Sequence, residues 1–120
     1  MSTAEIHIYG LAESRCDTMK KAGNWLRQQN IDFQLHDFKK EPPTEAQISA
    51  WVAQAGWEQL LNRRGTTWRK LDDAVKESID EPSAIALMLE NPSIIKRPVL
   101  SANQQLEVGF KEERYAELLG

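Results

Sequence analysis

The sequence contains a single cysteine among its 120 residues, which excludes an internal disulfide and a zinc site built from several thiolates. It also lacks an apolar run long enough to span a bilayer and a basic-then-apolar signal peptide. The net charge of −3 gives no electrostatic reason to expect nucleic acid or an anionic membrane as a partner. We therefore expect a cytoplasmic protein that binds no metal, nucleic acid or membrane.

Internal repeats, low-complexity tracts and flexible linkers are missing as well. The hydrophobic fraction of 41% and the charged fraction of 28% are typical of a globular protein. A chain of 120 residues is long enough to bury one core. We predict one domain covering residues 1–120, which we expect to be monomeric.

The first third of the chain carries the pattern of a strand, a helix and a second strand. Apolar and polar residues alternate over 5–9 and again over 31–38, whereas 19–26 has helical spacing. This order predicts a βαβ unit with a right-handed crossover. His7 and His36 alternate with core residues on these strands, so we expect structural roles for them rather than acid–base catalysis.

The middle of the chain, about 41–94, has only helical patterns. Thr44 and Gln47 have the spacing of a capping box, and Gly56 is expected to end the helix that they begin. A second helical segment is expected over 57–61, closed by Arg63–Gly65. A third is expected over 66–71, capped by Thr66 or Thr67, and a fourth from Asp80 to Asn91.

Strand patterns return at 97–100 and 106–110, joined by a turn that contains Asn103, and 111–119 is amphipathic enough for a last helix. The resulting order is β-α-β, a helical insertion, then β-β-α. We therefore predict an α/β protein with a thioredoxin-like fold, whose core spans about 3–40 and 95–120. The all-helical insertion, about 41–94, lies between the second and third core strands.

Cys16 follows the first predicted strand and begins the first predicted helix. A thiol in that position lies near the positive end of the helix dipole and near free backbone N–H groups, which lower a thiol pKa from about 8.5 towards neutrality. The positive charges of Arg15, Lys20 and Lys21 act in the same direction. The alternative is a small buried apolar residue, a common role for free cysteine.

Three motifs, at 16–22, 60–71 and 95–100, resemble those of the ArsC-like family. That family holds bacterial arsenate reductases, Spx-type regulators and a branch called YffB, and the second and third motifs are most similar to the YffB branch. The resemblance covers essentially the whole chain. It implies that Cys16 is the reactive cysteine and that Pro98 opens the third strand beside it.

The residues around Pro98 fit such a site. A proline in this position is often cis, and we expect the Arg97–Pro98 bond to be cis and Pro98 to contact Cys16. The backbone of Arg97 is then available to pair with an extended thiol peptide such as glutathione. The Arg97 guanidinium offers a planar fork for a carboxylate or an oxyanion, although it is also compatible with a solvated surface charge.

Four further residues complete the predicted binding site. Thr18 is expected either to donate its hydroxyl to the Cys16 sulfur or to cap the helix. Lys20 is expected to favour the thiolate. Arg63 and Arg64 either bind an anionic substrate or neutralise the negative pole of a helix end, and the sequence leaves both roles open.

The sequence also departs from its relatives. Arsenate reductases of the family hold the oxyanion with three arginines, and their positions correspond here to Asn62, Arg97 and Val108. Spx-type regulators often have a second cysteine three residues after the first, where this chain has Met19. The loop before Cys16 is also longer than is usual in the family.

We therefore expect a glutathione-dependent thiol reductase that is poor on arsenate. Cys16 attacks an electrophilic sulfur or an oxyanion, and with no second cysteine an external thiol must resolve the adduct. Glutathione is the expected co-substrate, no cofactor is bound, and glutaredoxin is a candidate partner. One alternative is an Spx-type regulator that binds RNA polymerase, with Gly56 in an exposed turn. Another is a thioredoxin-like domain whose thiol has lost its function.

Overall fold

Four strands form one mixed sheet in a computed structural model that describes residues 6–102 and 105–119. The strands are β1 (Ile6–Gly10), β2 (Gln34–Asp37), β3 (Val99–Ala102) and β4 (Gln105–Val108). They lie in the order β2-β1-β3-β4. β1 is parallel to β2, and β3 is antiparallel to both β1 and β4. The predicted turn at Asn103 lies outside the described residues.

Helices separate and flank these strands. They are α1 (Asp17–Gln28), α2 (Glu45–Ala55), α3 (Trp57–Leu60), α4 (Thr66–Arg69), α5 (Asp73–Glu77), α6 (Glu81–Glu90) and α7 (Glu112–Leu119). The chain order is therefore β1-α1-β2, then α2 to α6, then β3-β4-α7. This order and the mixed sheet confirm the predicted thioredoxin-like fold with a helical insertion.

The chain divides into two compact units. The first holds the sheet, α1 and α7, and consists of the residues up to Glu41 and from Arg97 onward. The second is the all-helical segment Pro42–Lys96. Across the described ranges, no helix is both long enough and apolar enough to cross a membrane.

The core of the first unit joins one stripe of α1 to one face of the sheet. Met19, Ala22 and Leu26, which are spaced by three or four residues, are all fully buried. They belong to the same apolar cluster as Ile8 and Leu100 on the two central strands. Burying this stripe fixes the rotation of α1 about its axis.

The second unit begins its two longest helices with reciprocal caps. The Gln47 backbone N–H donates to the Thr44 hydroxyl at 3.1 Å, and the Gln47 side chain accepts from the Thr44 N–H at 3.0 Å, so the predicted capping box is present. Asp80 and Ser83 form an equivalent box at α6. The hydrogen bond from the Ser83 hydroxyl lowers the pKa of Asp80. Gly56, with φ of 88°, ends α2 as predicted.

β2 is shorter than the predicted strand over 31–38. Asn30 has a left-handed φ of 59°, and the Ile31 N–H still donates to the Leu26 carbonyl at the end of α1. At the other end, the Phe38 N–H donates to the Gly10 carbonyl at 2.7 Å, beyond the last paired residue. The alternation of apolar and polar residues over 31–38 therefore extends beyond the residues of β2 that pair with β1.

Two expectations for the short helices were wrong, and one short helix was not predicted. α3 ends at Leu60, before Arg63–Gly65, and α4 follows Gly65 with no side-chain cap. The Thr67 hydroxyl lies 3.2 Å from the Ser93 hydroxyl instead. α5 was not predicted, because none of its residues is buried and it has no apolar stripe that periodicity could detect.

Replacing Tyr115 with phenylalanine should stabilise the protein. The side chain is fully buried, and its hydroxyl has no hydrogen-bond partner among the described residues. An unsatisfied buried polar group costs about 1–3 kcal/mol, so Tyr115→Phe should raise the free energy of unfolding by about 1 kcal/mol. Urea denaturation at pH 7 measures this difference.

The same substitution should change the pH dependence of stability. Burial, and secondarily the negative charge of Glu107, raise the pKa of Tyr115 well above its usual value of about 10. Above pH 10 only the unfolded state loses this proton, so stability falls by up to about 1.4 kcal/mol per pH unit. Tyr115→Phe should remove that component. Identical pH profiles for the two proteins would contradict the assignment.

Candidate functional site

Cys16 lies between a short 3-10 turn, Glu13–Arg15, and the first residue of α1. Its backbone is extended, with φ of −148° and ψ of 116°, and it occupies the N-cap position of the helix. Its carbonyl accepts a hydrogen bond from the Lys20 N–H at 3.0 Å. The thiol is unpaired, partly buried, and packed against the core cluster. The structure therefore places it at the positive end of the α1 dipole, as predicted.

The segment that leads into β3 has the expected backbone, since the Arg97–Pro98 peptide bond is cis. Pro98 is fully buried and Arg97 is partly buried. The contact between Pro98 and Cys16 stays a prediction.

Gly10, the last residue of β1, brings Arg97 close to the first turn of α1. A Cβ atom on Gly10 would lie 2.7 Å from the Met19 sulfur, and 3.1 and 3.2 Å from Cγ and Cδ of Arg97. Met19 is three residues after Cys16, in the first turn of α1. The missing side chain of Gly10 admits both the Met19 sulfur and the aliphatic stem of Arg97.

Thr18 and Lys20 occupy the first turn of α1 but have different surroundings. Lys20 is exposed. Thr18 is partly buried and lines a cleft of about 560 Å³ with Lys21, Trp25 and Phe110. Within the described part of the chain, its hydroxyl neither caps α1 nor bonds to the Cys16 sulfur.

Arg63 and Arg64 lie in the second unit, in the turn between α3 and α4. Both are exposed and line a cleft of about 440 Å³ together with Asn62 and Lys96. The Arg64 N–H donates to the Asn62 side-chain oxygen at 3.1 Å, which fixes the turn. Three basic side chains therefore surround one cleft in this unit.

The two arginines differ in what holds them. The guanidinium carbon of Arg63 lies 5.2 Å from the ring centroid of Trp57 and 5.8 Å from that of Trp68. These are cation–π distances. For Arg64, the described residues provide no side-chain hydrogen bond, ion pair or aromatic contact. Arg63 is thus held by two indole rings, whereas Arg64 is the more available cation.

The two histidines meet across β1 and β2. His7 Nδ1 lies 2.9 Å from His36 Nε2, and His36 Nδ1 lies 3.5 Å from Glu41. The ring of Tyr9 stacks on His36 at 4.5 Å. Burial, with a smaller contribution from Glu41, raises the pKa of Tyr9. Among the described residues no group of three His, Cys, Asp or Glu side chains could hold a metal ion.

No pattern in the sequence indicates the ion pair that holds the turn before Cys16. Glu13 in the 3-10 turn forms an ion pair with Arg27 near the end of α1. The two residues are 14 apart and share no periodic or motif signal, so only the folded chain brings them together.

This geometry defines a class of protein: a thioredoxin-like domain with one thiol at the start of its first helix and a cis-proline at the start of β3. The model of the ArsC family matches residues 11–118. The chain belongs to the ArsC family.

Individual relatives agree with this assignment. The solved structure of the YffB protein (PA3664) is 45% identical, covers 96% of this chain and 99% of its own, and superposes with a TM-score of 0.91. An uncharacterised protein of Haemophilus influenzae is 40% identical over 92% of this chain and 95% of its own. The global transcriptional regulator Spx of Streptococcus mutans is 29% identical over 87% of this chain and 77% of its own.

Substitution of the two arginines should separate their roles. Arg63→Ala removes two cation–π contacts, each worth about 0.5–1 kcal/mol when exposed, so it should lower the free energy of unfolding by about 1 kcal/mol and change tryptophan emission. Arg64→Ala is the matched control and should change stability by less than about 0.5 kcal/mol, with unchanged emission. Equal effects of the two substitutions would contradict this distinction.

Proposed function

We propose that this protein is a glutathione-dependent thiol reductase with Cys16 as its nucleophile. The observation that carries the proposal is the placement of the single thiol at the N-cap of α1, in the unit whose β3 is opened by a cis-proline. A helix N-terminus stabilises negative charge on an adjacent sulfur. Cys16 is only partly buried, and we expect a small disulfide to reach its sulfur.

The chemistry proceeds by two thiol–disulfide exchanges. The Cys16 thiolate attacks the glutathione sulfur of a glutathionylated thiol, which forms a Cys16–glutathione disulfide and releases the substrate thiolate to take up a proton. A second glutathione thiolate then attacks the glutathione sulfur of this adduct. Oxidised glutathione leaves and the Cys16 thiolate is restored. The substrate sulfur is thereby reduced to a thiol and the sulfur of the incoming glutathione is oxidised to the disulfide level, while the transferred glutathione sulfur stays in a disulfide throughout.

The segment around Arg97 supports binding of the glutathione moiety. In the proposed complex the backbone of Arg97, next to the cis bond, pairs with the peptide in the manner of strand addition. The guanidinium can form two parallel bonds with a carboxylate. Because Gly10 has no side chain, the aliphatic stem of Arg97 lies close to the end of β1 and to Met19 in the first turn of α1.

Replacing Cys16 with serine should abolish turnover of a glutathionylated model thiol. A hydroxyl is far less acidic than a thiol but nearly the same size, so the fold should be retained. Mass spectrometry after incubation with oxidised glutathione should show one adduct on the native protein and none on Cys16→Ser. Circular dichroism of the variant serves as the folding control. Undiminished turnover by Cys16→Ser would refute the proposal.

Arsenate should be a poor substrate despite the family relationship. Arsenate carries several charges, and each charge-assisted hydrogen bond contributes about 1.5–3 kcal/mol. Asn62 and Val108 stand where arsenate reductases of the family have arginine, so each missing bond should weaken binding by about tenfold or more.

Steady-state assays with glutathione and glutaredoxin, comparing arsenate with a glutathionylated thiol, test this expectation. The glutathionylated thiol should have the higher kcat/KM. Efficient arsenate turnover that depends on Cys16 and Arg97 would overturn it, and would indicate that other basic residues replace the missing arginines.

A regulatory role is the second candidate, because Spx regulators are among the relatives. Gly56, between α2 and α3, is half-buried, and apart from its chain neighbours no atom lies within 4 Å of the position of a Cβ there, so this turn leaves room for a partner. However, Met19 stands where Spx-type regulators often have a second cysteine. The redox switch that two thiols would form is therefore missing. A pull-down with RNA polymerase subunits distinguishes the two functions, because retention by Cys16→Ser would indicate docking independent of the thiol.

A further inference from the structure

An ion pair ties the loop in front of Cys16 to the far end of α1. The Arg27 guanidinium donates from Nη1 to Glu13 Oε2 at 3.2 Å and from Nη2 to Glu13 Oε1. The two bonds run in parallel, which is the geometry that fixes the orientation of both groups. Glu13 opens the 3-10 turn before the thiol, and Arg27 lies in the last turn of the helix.

Gly23 makes room for this pair. It is buried in the middle of α1, a position where glycine disfavours the helix. A Cβ atom at Gly23 would lie 2.5 Å from Glu13 Oε1 and 2.9 Å from Glu13 Cδ. The glycine therefore allows the carboxylate to lie directly against the helix backbone.

The arginine is held in place from two further sides. Asn24 Oδ1 accepts from Arg27 Nη2 at 2.9 Å, and the Arg27 guanidinium carbon lies 5.7 Å from the ring centroid of Phe33. These two contacts restrict the orientation of the guanidinium independently of Glu13. The loop itself is closed by a bond from the Arg15 N–H to the Ala12 carbonyl at 2.9 Å.

We propose that Glu13 and Arg27 are positioning residues, which fix the loop at 12–16 and thereby aim the Cys16 thiol at its disulfide substrate. This inference rests on the proposed role of Cys16 as a nucleophile. The Glu13–Arg27 pair, admitted by Gly23, holds this loop against α1.

Three substitutions in the full chain test the inference: Glu13→Ala, Gly23→Ala and Arg27→Lys. The last keeps the charge but loses the planar fork. Arg114→Ala is the matched control, because it removes an exposed arginine paired with Glu107 and Glu117. For each protein we would measure the rate constants of Cys16 with oxidised glutathione and with iodoacetamide, the thermal midpoint, and amide hydrogen exchange over 12–16.

We expect the rate constant with oxidised glutathione to fall by about threefold to fivefold in each test variant, the scale of an exposed ion pair. Exchange in the loop should accelerate. The rate with iodoacetamide, which needs little orientation, should be maintained, and Arg114→Ala should match the native protein. Gly23→Ala should not lower the thermal midpoint, because alanine favours the helix, and this separates loss of positioning from loss of stability.

Unchanged loop exchange, or an equal fall with both reagents, would overturn the inference. An equal fall indicates a changed thiolate fraction rather than a changed direction. If Cys16 of the native protein fails to react with oxidised glutathione, the proposed function fails instead. Amide exchange then still shows whether the pair fixes the loop. If Gly23→Ala does not fold, Glu13→Ala alone decides, since it changes only an ion pair at the protein surface.

Discussion

Burial of one stripe of α1 against the two central strands is the constraint on which the site depends. Met19, Ala22 and Leu26 are fully buried, as are Ile8 and Leu100 beneath them. A helix locked in this way has a fixed axis, rotation and starting point. Its N-cap residue, Cys16, therefore has a fixed position relative to the ends of β1 and β3. The chemistry of the thiol follows from packing that lies one to three turns further along the helix.

Much of this architecture could be predicted from the sequence, because the decisive signals are local or periodic. The three-and-four spacing on α1, the Thr44–Gln47 capping box and the stop at Gly56 each act within a few residues. The limits of β2 could not be predicted, because they depend on which residues find partners on β1. α5 was missed for the opposite reason, since an exposed helix of five residues leaves no apolar pattern.

The sequence proposes the residues of the candidate site, but it cannot predict their arrangement. Sequence motifs identify Cys16 and Pro98, whereas the close approach at Gly10 requires the fold. Arg63 and Arg64 are adjacent in sequence and chemically equivalent, yet only Arg63 lies over two indole rings. Adjacent side chains in a turn point in different directions, so sequence alone leaves their roles open.

In the proposed reaction, the residue that stands in place of a second thiol determines how the adduct is resolved. Met19 lies three residues after Cys16, the position of the second cysteine in Spx-type regulators, and it is fully buried with its sulfur against Gly10 at the end of β1. A thioether cannot displace a disulfide sulfur and return a thiolate. Every adduct formed on Cys16 must therefore be released by a thiol from solution, at a rate proportional to the concentration of that thiol. For such a protein the geometry that admits a second molecule matters as much as the reactivity of the first sulfur. The partly exposed loop before Cys16 would meet this requirement under the proposed role of Glu13 and Arg27, because it would leave the adduct open to attack while fixing its direction.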